Sequence, residues 1–198
     1  MSDKVQENIT SWKNALLEGY FEKHHCYGPK HVFEPAQAIK DFISRLPRKD
    51  RVLEIGIGRG HTILWFKRHF KECYGCDIAD TYMLDEMLRN VSLGIVDGTG
   101  SLDIYNDDTF DLAYTMNVLH HLEYEQVLRY IEESWRVSRA IYHYLLPGDH
   151  MAVRNSGSLD TSYSTDPETL KEDMVAMGIP TDLVLVENNM IHLIAEKP

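Results

Sequence analysis

Short apolar runs alternate with amphipathic ones from Arg51 onward, and this alternation constrains the fold more than any other feature of the chain. RVLEI (51–55), KECYGCD (71–77), VSLGIV (91–96) and TFDLAYTM (109–116) have the length and apolar content of buried strands. Between and after them, HTILWFKRHF (61–70), TYMLDEMLR (81–89) and YEQVLRYIEESWRV (124–137) carry helical spacing. Strands that alternate with helices in this way predict an α/β fold: a parallel, doubly wound sheet with helices on both faces. The end of the chain breaks the rule. TDPETLKEDMVAMG (165–178) predicts a helix with a Thr165–Glu168 capping box, Pro167 in its first turn and Gly178 just past its end. DLVLVE and MIHLIA, joined by Asn188-Asn189, predict an antiparallel hairpin that closes the sheet.

Ahead of the alternating region, Ile9, Trp12, Leu16, Leu17 and Tyr20 recur at helical spacing, which predicts a helix over residues 3–23. Gly28-Pro29 breaks the pattern, and 23–33 reads as a loop. A second helix is expected over 34–46, with Pro35 in its first turn and Pro47 beyond its end. Ser138–Leu146, SRAIYHYLL, keeps Ile141, Tyr142 and Leu145 at helical spacing. It is expected to lengthen the preceding helix or to form another, with His143 in a structural role.

Composition narrows the function. With 198 residues, the chain is the size of one domain, and 43% apolar with 26% charged residues excludes a disordered chain. A net charge of −11 repels phosphate backbones, so no nucleic-acid partner is expected. No stretch approaches about 20 apolar residues, so no membrane span is expected. The opening MSDKVQENITSWKN has no apolar core, which predicts no secretory leader. Three cysteines cannot build a disulfide framework, and reduced thiols suit the cytoplasm. Cys73 and Cys76 are three apart on a strand and point to opposite faces, which disfavours a zinc or redox pair; no metal is expected.

The chemistry concentrates where strands end. In Val52-Leu-Glu-Ile-Gly-Ile-Gly-Arg-Gly60 a strand runs through glycines into a helix, and the open N–H groups there favour a strongly polar ligand. The nicotinamide fingerprint G-x-G-x-x-G is not met: the spacing is G-x-G-x-G, and His61 stands in place of the last glycine. Asp77, 21 residues after Gly56, ends the next strand, where a carboxylate reaches ribose hydroxyls. Asp97-Gly98 ends the third, where a carboxylate and bare N–H groups can read an adenine edge. Arg59 is expected at the surface.

VLEIGIGRG, the acidic end of YGCDIAD, VDG, DDTFDLAYTMNVLHHL, the LPGD turn before HMAVRN and the closing DLVLVENNMIHLIAEKP resemble the class I S-adenosylmethionine-dependent methyltransferases, over about residues 33–198. The resemblance implies a Rossmann-like, seven-stranded sheet with its last strand antiparallel, and S-adenosyl-L-methionine as cofactor. It implies Glu54, Gly56, Ile57 and Gly58 around the methionine part and Asp77 on the ribose, with Ile78 beside the adenine. It further implies Asp97 and Gly98 at the adenine edge and Asn117 and Val118 beneath the ligand. Residues 1–32 then form an N-terminal helix and lid, and 33–198 the methyltransferase domain.

The resemblance implies transfer of an activated methyl group to a positioned acceptor, and the short chain favours a small molecule. If the acceptor is a hydroxyl, histidine is the natural base. His120 and His121 follow the fourth strand directly and are the catalytic candidates. Tyr20, His24, His25, Tyr27 and His31 form the candidate lid and acceptor loop, where aromatic rings can shield a sulfonium cation. Two rival readings remain at this point: a nicotinamide-dependent oxidoreductase and a non-catalytic partner subunit of methyltransferase fold.

Overall fold

The computed structural model describes residues 3–18, 35–79, 88–145, 166–180, 183–187 and 190–198. Strands β1 (Arg51–Ile55), β2 (Glu72–Asp77), β3 (Val91–Ile95), β4 (Leu112–Met116), β5 (Ala140–Leu145), β6 (Leu183–Glu187) and β7 (Met190–Glu196) lie in one sheet, in the order β3-β2-β1-β4-β5-β7-β6. Pairing is parallel from β3 through β5, and β7 runs antiparallel to both β5 and β6. The chain winds outward from β1 to β3 and then returns to start again at β4. That reversal opens a crevice at the carboxyl ends of β1 and β4, where such sheets bind ligands.

Five α-helices are described: α1 (Asp3–Leu17), α2 (Gln37–Arg45), α3 (Ile63–Phe66), α4 (Tyr124–Val137) and α5 (Pro167–Ala176). Side chains alternate across each strand, and two apolar clusters result. Leu53, Ile55, Ala113 and Ile141 pack with Val127 and Ile131 of α4 and with Leu170 and Met174 of α5. Val52, Leu112, Tyr114 and Tyr142 pack with Ile39, Phe42 and Ile43 of α2 and with Ile63 and Phe66 of α3. Cys76 belongs to the first cluster and Cys73 to the second, so the two thiols are separated by the sheet.

Several local expectations are corrected. Ser138–Leu146 does not extend a helix. The helix α4 stops at Val137, Ser138 is extended (φ −135°, ψ 164°), and Ala140–Leu145 is β5. The run is central in the sheet and buried on both faces, so apolar residues fill nearly every position and helical spacing arises by accident. His143 is accordingly a strand residue, buried with Nδ1 3.1 Å from the Thr115 hydroxyl. Of HTILWFKRHF, only Ile63–Phe66 is α-helical, with turns on both sides. The cap of α5 is Asp166, whose carboxylate accepts from the Thr169 N–H at 2.8 Å; Thr165 lies outside the described residues. Gly178 takes φ +74° just past α5, as its position required. Most of the helix expected over 81–89 lies outside the described residues, as does the Asn188-Asn189 turn.

Candidate active site

The glycine turn after β1 is shaped by contacts that leave no room for side chains. Gly56 has φ +73°, and a Cβ there would stand 2.5 Å from Val118 Cγ2. This close approach brings the β1 turn against the β4 turn. Asn117 supplies the matching bend on that side, at φ +57°, with its N–H donating to Tyr144 O at 3.3 Å. Asparagine adopts this left-handed region more readily than most residues.

Asp77 joins the turn to β2. Its carboxylate accepts from the Gly58 N–H at 2.8 Å and from the Ile78 N–H at 2.7 Å. Burial raises its pKa, while those donors and the Ala79 N–H pull it down. Glu54, register partner of Tyr114 across β1 and β4, is 3% exposed. Burial pushes its carboxyl up to about 8, against hydrogen bonds from Tyr114, Thr62 and the Ile63 N–H at the start of α3. At neutral pH its carboxyl is mostly protonated and contributes little charge.

These elements wall one cavity of about 250 Å³. Glu54, Gly56, Ile57 and Gly58 line it from β1, and Asp77 and Ile78 from β2. Gly98, Asn117, Val118 and His121 complete the set of sequence-predicted residues found there. Asp97 is not in the wall. It is exposed, and its Oδ1 closes a turn on Thr99 N (2.8 Å) and Thr99 Oγ1 (2.7 Å). His120 is buried but absent from the wall, whereas its neighbour His121 lines it. Burial depresses His120 to about 3, with help from His121, and His121 to about 4, so both rings are neutral at pH 7. Tyr20, His24, His25, Tyr27 and His31 lie outside the described residues.

Some wall residues escaped sequence reasoning. Arg59, expected at the surface, lines the cavity. So do Met116 at the end of β4 and Tyr130 on α4. The N-terminal helix was expected as part of a lid, but its individual wall residues were not: Asn8, Ile9 and Trp12 of α1 form part of the wall. The Trp12 ring lies 4.6 Å from that of His121, and Asn8 Nδ2 donates to His121 O at 2.8 Å. Spacing did mark Ile9 and Trp12 as one helical face, but not the surface that face covers.

Two buried polar atoms in this wall have no hydrogen-bond partner in the structure: Asn8 Oδ1 and His121 Nδ1. Such atoms are costly unless a ligand or water meets them. Among the described residues no group of three or more histidines, cysteines or carboxylates could hold a metal ion, and no helix is long and apolar enough to cross a membrane.

A mixed Rossmann-like sheet with a glycine turn, an acidic β2 end and a walled crevice is the arrangement in which α/β proteins bind ligands at strand tips. Residues 53–140 match the family model described as a methyltransferase domain. The uncharacterized methyltransferase YcgJ of Bacillus subtilis (strain 168) is 32% identical over 109 residues, which cover 52% of this chain and 41% of YcgJ. The chain thus spans less than half the length of that curated relative. Among solved structures, magnesium protoporphyrin IX methyltransferase (ChlM) from Synechocystis PCC 6803 with bound S-adenosylhomocysteine superposes with TM-score 0.71 at 14% identity. That match covers 96% of this chain and 99% of ChlM. A SAM-dependent methyltransferase from Aquifex aeolicus gives TM-score 0.62 at 20% identity, over 83% and 89% of the two chains. The methyltransferase-domain match, the YcgJ relative and the shared fold together support a class I S-adenosylmethionine-dependent methyltransferase.

Proposed function

We propose that the protein binds S-adenosyl-L-methionine in this cavity and transfers its methyl group to a small-molecule acceptor, through a hydroxyl oxygen. The observation that carries the reading is the Asp77–Gly58 hydrogen bond inside one walled cavity, because it joins the glycine turn and the ribose-type carboxylate at a topological switch point. The two separate apolar clusters support the doubly wound arrangement that goes with it.

The residues present fit such a cofactor. The Asp77 carboxylate offers lone pairs to ribose hydroxyls, Ile78 and Val96 offer apolar surface to a base, and the glycine turn allows close backbone approach. The cofactor supplies a methyl already activated on a sulfonium. The protein's part is alignment and exclusion of water, and positioning alone reaches effective molarities of roughly 10⁵–10⁸ M. His121 is the proposed catalytic base: its neutral ring lines the cavity and would take the hydroxyl proton as the acceptor oxygen gains the methyl, the sulfonium C–S bond breaking to leave a neutral thioether. His120 holds the turn from behind. The loop of Tyr20, His24, His25, Tyr27 and His31 is proposed to complete the acceptor side, with residues 1–32 serving as the cover. We place the protein in the cytoplasm on its cysteine usage, and without nucleic-acid partners on its net charge of −11.

Calorimetry with S-adenosylhomocysteine and with NADH tests the reading. Binding of the first and not the second supports it; binding of NADH alone overturns it.

A further inference from the structure

Asn8 is 3% exposed and lines the cavity from α1. Its amide orientation is fixed by chemistry. The group 2.8 Å from it is the His121 carbonyl, which only accepts, so the nitrogen end must face His121. The side-chain carbonyl Oδ1 is left buried without a partner. An acceptor held that way loses its hydration on folding and recovers it only from a donor in the cavity.

The helix neighbour of Asn8 indicates which end of a nucleoside lies nearest to it. Ile9, the next residue, closes on the tip of β3: a Cβ on Gly98 would stand 2.9 Å from Ile9 Cγ1 and 3.1 Å from Ile78 Cγ2. Gly98 is itself tied to α4, its carbonyl accepting from Gln126 Nε2 at 2.8 Å. This corner is where a base sits if Asp77 holds the ribose. Asp97 at the same tip is exposed, and its Oδ1 accepts from Thr99. Asn8 Oδ1, one residue along α1 from the Ile9 contact, is a buried acceptor without a donor.

We propose that Asn8 Oδ1 accepts a hydrogen bond from the exocyclic 6-amino group of the bound adenine, so that α1 supplies the base-reading contact from outside the family-matched segment. The inference rests on the cofactor reading above and deepens it. Asn8 then has two tasks: its carbonyl reads the base, and its amino group holds the turn that carries His121.

The test compares S-adenosylhomocysteine with S-inosylhomocysteine, in which a 6-oxo group replaces the 6-amino donor. Isothermal titration of the wild-type protein should favour the adenosyl ligand by roughly ten- to a hundredfold, the cost of an unmet buried acceptor facing a second carbonyl. Asn8→Ala should bring the two affinities within about threefold of each other. Asn8→Asp keeps an acceptor and should keep the preference, although it loses the donor to His121. A general loosening of α1 would weaken both ligands alike and leave their ratio intact, so an unchanged ratio in Asn8→Ala overturns the proposal. Failure of the wild-type protein to bind S-adenosylhomocysteine overturns the cofactor reading instead, a separate and distinguishable result.

Discussion

Tyr114 Oη donates to Glu54 Oε2 at 2.8 Å between two residues that are register partners on β1 and β4. The Tyr114 ring also stacks on Phe66 with centroids 3.9 Å apart, so one side chain joins the buried carboxyl to α3. Replacing Tyr114 by Phe keeps the stack and removes the donor. The variant should lose about 1–3 kcal/mol of stability in urea unfolding, as a buried acceptor is left short of a partner. An unchanged midpoint would mean that Thr62 and the Ile63 N–H suffice.

The same carboxyl sets part of the pH dependence of stability. Glu54 has a folded pKa of about 8 against an ordinary value of 4.5. The folded state therefore binds more protons between these values. Its contribution is complete below pH 4.5 and is lost as pH rises through about 8. His121 and His143 act oppositely. Burial depresses them from 6.5 to about 4 and about 3, so their contribution is complete above pH 6.5 and is lost as pH falls through those values. From these groups, stability should peak near pH 6.5 and decline on both sides. Glu54→Gln should flatten the alkaline limb in denaturant midpoints taken at pH 6.5 and 8.5. An equal decline in the variant would place the alkaline loss elsewhere.

Asp77→Ala should weaken S-adenosylhomocysteine binding by tenfold or more. Each hydrogen bond from a ribose hydroxyl to a charged acceptor is worth roughly 1.5–3 kcal/mol, and the Gly58 N–H also loses its anchor. Calorimetry provides the readout, and wild-type affinity in the variant would refute the ribose assignment.

The two adjacent histidines should separate in kinetics. His121→Ala should lower kcat by roughly 10²–10⁴-fold, the usual worth of a positioned base. His120→Ala should act mainly on stability, because its ring is buried and does not line the cavity. Both are measured with a hydroxyl acceptor at saturating cofactor. Equal effects at the two positions would argue against His121 as the base.

Much of the sheet was legible because alternation and punctuation agreed. YEQVLRYIEESWRV coincides with α4, and RVLEI with β1. The strand β5 was not legible for a physical reason: a central strand buried on both faces loses the alternation that distinguishes it from a buried helix. At the site, the glycine turn and Asp77 were legible because backbone geometry at a strand tip demands particular residues. Asp97-Gly98 is harder to read because the same Asp-Gly pair also makes a plain turn, here closed on Thr99. Asn8 and Trp12 carried no motif. Their role comes from where α1 lands, a long-range docking that local pattern does not encode.

That docking has a consequence for how the protein can be dissected. Residues 53–140 contain most of the fingerprint, yet the floor they build is open where Asn8, Ile9 and Trp12 stand. An excised fragment of that span would lose this wall together with α2, α5, β6, β7 and nearly all of β5, keeping the signatures without the enclosure around them.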